Sequence, residues 1–380
     1  MAEVHGFASA NFDRLSELLS ATVDSGEDLG ASVCVTVEGQ SVVDIWSGFT
    51  DESKSSGWEK DTITNVWSIT KTMTSLAALI LVDQGDLDVH APVSAYWPEF
   101  AANGKQRIEV RHLMGHTSGV SGWEPPVELA DTYDWEKSTS MLARQAPWWE
   151  PGTASGYHLL NQGHLVGEVI RRITGQSLGT FFANQVAAPL GLDFHIGLDA
   201  KDDARVSNVV PPPPLAPTTG ARDRESPMYK TLTAPTIDAA VACTSRWRRA
   251  EIGASNGHGN ARSVARAQAI VANGGHLDGV RVLSQATIDL IFEAQACGQD
   301  LVLGLPVRFG IGYALPSRGA PQLPDGRICY WGGWGGSAVI VDLDRRMTFA
   351  YVMNRMANGG SILGDRRAEP LIRATYEALG

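Results

Sequence analysis

The sequence predicts an α/β (α+β) fold in which an antiparallel sheet is flanked by terminal helices and a mostly helical domain is inserted. Three observations predict it. Strand patterns gather near both ends of the chain, helical patterns fill the middle, and the two ends are themselves helical. With 380 residues there is chain enough for two core-forming regions.

The elements follow in order. Residues 7–25 repeat with a helical period that sets Phe7, Phe12, Leu15, Leu18 and Leu19 on one side. ASVCVTVEG and SVVDIWSG then read as two strands around a Glu-Gly-Gln turn, a hairpin signal. From Ser68 to Gln84 the period is helical again, with Met73, Leu76, Leu79 and Ile80 on one face and Gly85 as the stop. Residues 86–265 are rich in helical patterns and loops. Among them VPPPPLAPTTG, Val210 to Gly220, can be neither helix nor central strand, because proline fixes φ and removes a donor. GNARSVARAQAIVANGG, Gly259 to Gly275, is a helix capped by Asn260 and stopped by two glycines. FGIGYAL, RICYWGG, SAVIVDLD and MTFAYVMN return to strands, the last three as a meander. An amphipathic helix over residues 364–379 closes the chain. The expected division is a discontinuous domain, 1–67 plus 266–380, and a helical domain, 68–265, with a cleft between them.

Composition removes several classes of function. A net charge of -11 argues against nucleic acid or an anionic membrane as partner, since both select basic surfaces. The first twenty residues lack a basic stretch followed by an apolar run, and LAALILV, Leu76 to Val82, is too short to span a bilayer. A cytoplasmic location is expected. Cys34, Cys243, Cys297 and Cys329 are scattered without CxxC spacing and read as buried free thiols rather than metal ligands. Neither a metal nor a cofactor is implied.

Two serines stand in settings that chemistry uses. GASNG, Gly253 to Gly257, matches the GxSxG turn of a nucleophilic serine. Its flank SRWRRAEI is too charged for a buried parallel strand, and no acid lies between Ser255 and the last histidine, His276. Ser255 is therefore set aside. Ser68 and Lys71, in SITK, lie one helical turn apart on one face. A lysine there can stabilise the alkoxide or, once desolvated, take the hydroxyl proton. The spacing alone is weak, because composition half produces it by chance. A polar pair heading an apolar helix nevertheless needs partners if it is buried, and Tyr157, in PWWEPGTASGYHLLNQG, is one candidate.

Taken together, SITK, GYHLL and YWGGWGGS resemble the three ordered motifs of the serine β-lactamase-like superfamily, with its class C β-lactamase and penicillin-binding-protein fold. The chain is most similar to the family VIII carboxylesterases. VRHLMGHTSG and GGWGGSAVIVDLDRRMTFAYVMN add to the likeness, which runs from about residue 10 to 375. The resemblance implies that Ser68 attacks an acyl carbonyl, that Lys71 and Tyr157 share the base work, and that the backbone N–H of Ser68 and of Trp334 form an oxyanion hole. It also implies a substrate strand at Trp331, Gly332 and Gly333. Trp148 and Trp149 are further candidates for a pocket wall.

Two departures from the superfamily pattern shift the expected substrate. Leu159 stands where class C enzymes carry the asparagine of Tyr-x-Asn, and Asn161 would point elsewhere on a helix. No lysine follows Lys230, so a Lys-Thr-Gly motif for a substrate carboxylate is impossible. Small neutral, apolar esters are the expected partners, with a homodimer left open. Acyl transfer to an alcohol, weak β-lactamase or D-aminopeptidase activity, and a silent ligand-binding module stay open as alternatives. His112 and His116 lack the glutamate of HExxH and read as structural, and His158 is assigned no role.

Overall fold

The computed structural model describes residues 1–213, 223–359 and 362–380. Its centre is a six-stranded sheet in the order Val4–Ala8, Gln40–Gly48, Gly30–Val37, Met347–Met353, Ala338–Asp342, Ile328–Gly332. Every neighbouring pair is antiparallel. The hairpin and the three-strand meander thus meet as expected, joined by the pairing of Tyr351 with Val33. Side chains alternate along Met347–Met353, so its two faces can be told apart. The Thr348 hydroxyl donates to the Ala265 carbonyl on the helix Ala261–Ala272 at 3.0 Å. Three residues on, Tyr351 faces the other way and donates to Asp28, just past the helix Asp13–Ser25, at 2.6 Å. That first helix packs with the closing helix Ala368–Leu379.

Helix Ala261–Ala272 is capped by the Asn260 side chain, and Gly274 and Gly275 follow it in left-handed conformation, as the sequence indicates. It packs on the sheet although it starts ahead of residue 266. The helix Thr70–Gln84 ends at a left-handed Gly85. Here the one-face expectation fails, because every residue from Thr70 to Leu81 is buried. The helix is enclosed on all sides, so its threonines must find partners indoors. Thr74 donates to the Gly253 carbonyl at 2.6 Å and Thr72 to that of Ile69 at 2.8 Å.

Other expectations are corrected. Phe7 is no part of the first helix. It lies in the edge strand Val4–Ala8 and is half exposed, since strand pairing with Asp44 overrides the apolar spacing. FGIGYAL is not a strand beyond Phe309. Its glycines allow a bend in which Gly310 N–H bonds the Tyr313 carbonyl at 2.8 Å, while Pro306–Phe309 pairs with the unforeseen strand Ala296–Gln299. Cys34 and Cys329 are buried, but Cys243 is half-buried and Cys297 exposed. Of the proline stretch, Pro211–Pro213 is irregular as expected, and the part from residue 214 on lies outside the described residues. Among the described residues no helix is long and apolar enough to cross a membrane.

Candidate active site

Ser68 sits in a single turn, Trp67–Ile69, between the short strand Thr64–Asn65 and the buried helix. Trp67 adopts a left-handed φ of 52°, costly for a bulky residue. Its ring is held between Trp247 and Trp334, at centroid distances of 5.7 and 4.8 Å. Packing on both sides sustains the kink that turns the Ser68 hydroxyl toward a cavity.

The neighbouring segment is tied to this turn. Thr64–Asn65 pairs with His258–Gly259, Val66 N–H bonds the Gly257 carbonyl at 2.9 Å, and Gly257 N–H bonds Thr70 Oγ1 at 2.8 Å. The result delivers the Ala254 carbonyl to Lys71. Lys71 Nζ donates to the carbonyls of Ala254 and Leu159, both at 2.9 Å, and lies 3.3 Å from Ser68 Oγ. Among the described residues no carboxylate pairs with the amine, and complete burial holds its pKa well below the ordinary value. A neutral amine carries two hydrogens and one lone pair. Two carbonyls take the hydrogens, which leaves the lone pair for the Ser68 hydroxyl. This geometry can deprotonate the serine.

Tyr157 is buried against the same group, with Lys71 Nζ 4.7 Å from its ring centroid. Burial pushes the phenol up to about 12, opposed by hydrogen bonds with Ser68 and Trp331. Behind it stand His116, 5.0 Å away between ring centroids, and Trp331, 6.0 Å away. His116 Nδ1 accepts from the His158 N–H at 3.1 Å, and burial holds both imidazoles neutral, His158 at about 3. His112 instead accepts from the backbone N–H of Glu109. Among the described residues no group of acids, histidines and cysteines could hold a metal ion.

The cavity above Ser68 has a volume of about 400 Å³. Its wall includes Tyr157, Leu159, Leu160, Leu232, Pro235, Ile237 and Leu303, together with the segment Trp331–Gly336 and Ile362. Among the described residues that line it, none carries a charge. The glycines are required by close approach. A Cβ on Gly333 would collide with the Ser337 hydroxyl and the Val66 carbonyl, two groups already joined by a 3.1 Å hydrogen bond.

The structure brings Ser68, Lys71, Tyr157, Trp331, Gly332, Gly333 and Trp334 together. Trp148 and Trp149 are not on the cavity wall. Trp148 lies against Lys230 and Gly122, and Trp149 packs on Gly156 with its indole N–H on the Ala154 carbonyl. Their chain is drawn off by Gly119, whose carbonyl binds the Trp148 N–H at 2.7 Å. Asn161 points away, to the Val120 carbonyl. Sequence reasoning missed the Leu159 and Ala254 carbonyls, which no side-chain motif announces, and the place of Ser255 on the cavity wall.

Comparison with known proteins gives the family. The beta-lactamase family profile matches residues 15–373. The chain belongs to the beta-lactamase family. Within it, the chain is 34% identical over 337 residues to Esterase/beta-lactamase LipL of Mycobacterium tuberculosis, covering 86% of this chain and 77% of that one. Esterase EstB of Burkholderia gladioli is 28% identical over 197 residues, 47% of this chain and 50% of EstB. A crystal structure of a family VIII carboxylesterase superposes with a TM-score of 0.93 at 38% identity, covering 99% of this chain and 100% of that one. A penicillin-binding protein homolog from Caulobacter crescentus gives 0.91 at 33%, with coverage of 99% and 100%. The beta-lactamase fold expected from the motifs is the fold observed.

Proposed function

We propose that the chain is a serine carboxylesterase that opens neutral, apolar carboxylic esters through an acyl-enzyme on Ser68. The observation that carries this reading is the largely apolar cavity, uncharged among its described lining residues, with Ser68 on its wall and the buried Lys71 amine 3.3 Å from the Ser68 hydroxyl. Ser68 Oγ attacks the acyl carbonyl as its proton passes to Lys71 Nζ. The N–H groups of Ser68 and Trp334 receive the developing oxyanion. Tyr157 relays the proton to the leaving alkoxide, whose departure leaves the acyl-enzyme and an alcohol. Water then attacks the acyl carbon and gives a proton to the same relay, which returns it to Ser68 Oγ as the bond to the acyl carbon breaks and the acid leaves.

Ser68 and Lys71 act here as an SxxK pair, in the cleft between domain 1–67 plus 266–380 and domain 68–265. The relatives named as esterases support an ester substrate. Among the described residues the wall carries no cation to pair with a substrate carboxylate, which argues against β-lactams as the preferred class. The four unpaired cysteines suit a reducing, cytoplasmic setting. The test is to mix the enzyme with p-nitrophenyl butyrate and map the acyl group by intact mass and peptide analysis. An acyl group on Ser68, absent from Ser68→Ala, is expected. Acylation of Ser255 with full activity in Ser68→Ala would overturn the reading.

A further inference from the structure

Asp300 lies outside the motifs and is almost completely buried. One of its carboxylate oxygens, Oδ1, accepts three backbone N–H groups: Tyr157 at 3.1 Å, Val302 at 2.9 Å and Leu303 at 2.8 Å. The three belong to two remote stretches of chain. Tyr157 carries the phenol beside Ser68, and Leu303 forms part of the cavity wall. A second tie runs in parallel, from the Leu301 N–H to the Ser155 carbonyl at 2.8 Å. The turn is closed on itself by Gly304 N–H to the Asp300 carbonyl and Asp300 N–H to that of Leu305, both 3.0 Å. The other carboxylate oxygen is buried with no hydrogen-bond partner. A turn could be closed by asparagine, serine or a main-chain carbonyl without desolvating a charge. Here a buried carboxyl is used instead, and one of its oxygens accepts from the backbone of Tyr157.

We propose that Asp300 is a positioning residue that locks the Tyr157 phenol and the Leu303 wall into one unit, so that a single acceptor atom sets both proton relay and acyl-chain fit. This rests on the esterase reading. The three N–H bonds that this one oxygen accepts fix the Tyr157 backbone beside the cavity. Displacing that backbone by about 1 Å is enough to cost a large factor in rate when the relay depends on alignment. The same displacement moves Leu303, and with it the preference for acyl length.

Two substitutions separate acceptor position from charge. Asp300→Asn keeps an oxygen at the Oδ1 place and removes the charge. Asp300→Glu keeps the charge and displaces the oxygen by one methylene. Each is assayed with p-nitrophenyl acetate, butyrate and hexanoate, with kcat and KM resolved. The hexanoate-to-acetate ratio of kcat/KM does not depend on how much enzyme is folded, so a purely structural defect leaves it unchanged. Asp300→Asn is expected to keep the wild-type ratio, and Asp300→Glu to shift it by about threefold or more while lowering kcat by about tenfold or more. An unchanged ratio in Asp300→Glu, or a shifted ratio in Asp300→Asn, would overturn the proposal while wild-type ester hydrolysis left the esterase reading standing. A wild type inert toward all three esters would overturn both.

Discussion

Lys71 Nζ stands 3.3 Å from Ser68 Oγ and donates to two carbonyls, while a second buried lysine, Lys105, donates to three. The difference is one of valence. An ammonium has three hydrogens, and the carbonyls of Ala102, Ala143 and Gln145 accommodate all of them around Lys105. Burial lowers Lys105 only to about 8. At Lys71 the third direction holds the Ser68 hydroxyl, which can accept from an ammonium or donate to a neutral amine, and burial favours the neutral form.

Lys71 must be unprotonated to accept the serine proton, and burial holds its pKa well below the ordinary lysine value. The kcat/KM for p-nitrophenyl butyrate is therefore expected to fall as pH drops through that lowered pKa. Lys71→Arg keeps a charge that cannot be removed and should lose about three or more orders of magnitude in acylation. Acylation at an undiminished rate in Lys71→Arg would remove the lysine from the base role.

Tyr157→Phe keeps the ring that packs on His116 and Trp331 and deletes only the hydroxyl. The fold should persist, with the thermal midpoint close to wild type. Turnover should drop by about 10²- to 10⁴-fold. Rapid-mixing measurement of the p-nitrophenol burst shows whether the loss falls on acylation.

Gly333→Ala sets a methyl against Ser337 Oγ and the Val66 carbonyl, and Val66 lies two residues before Ser68. The overpacking should destabilise the protein by about 1–3 kcal/mol. It should also depress kcat beyond what lost folded protein explains. Denaturant unfolding and active-site titration on the same sample separate the two effects.

Lys105 gives a stability test with a defined sign. Its folded pKa of about 8 lies below the ~10.4 of an unfolded lysine. Between these values the unfolded chain binds the extra proton, so stability rises with pH. Wild type should gain in thermal midpoint relative to Lys105→Met between about pH 7.5 and 9.5. A constant difference between the two proteins would show that Lys105 does not titrate there.

The sequence made some of this legible for physical reasons. The hairpin, the meander and the Ala261–Ala272 helix were plain because their side-chain periods and stop residues agree with their final environment. Phe7 misled because its apolar spacing fits a helix, whereas pairing along an edge strand decides its place. Ser68, Lys71 and Tyr157, which the structure brings together, could be singled out as candidates because their chemistry is in their side chains. The Leu159 and Ala254 carbonyls could not, since every residue has a carbonyl and only tertiary structure aims it. Asp300 was hidden for a related reason: its partners are main-chain groups from two segments far apart in the chain. Trp148 and Trp149 were overvalued because a large aromatic looks the same in sequence whether it lines a cavity or packs behind it.

Leu159→Asn restores the residue of the class C motif, yet the Lys71 acceptor at this position is the main-chain oxygen. Ester turnover should stay within about tenfold of wild type, read from kcat/KM on p-nitrophenyl butyrate. A collapse in turnover would show that the leucine side chain itself is needed.

That oxygen has an evolutionary consequence. A side-chain anchor can be lost to one nucleotide change, but a peptide carbonyl is inherited whatever residue is encoded. A substitution at position 159 therefore leaves this acceptor for Lys71 in place while changing a residue that lines the cavity. The cavity wall can thus change at this point without removing the Lys71 acceptor.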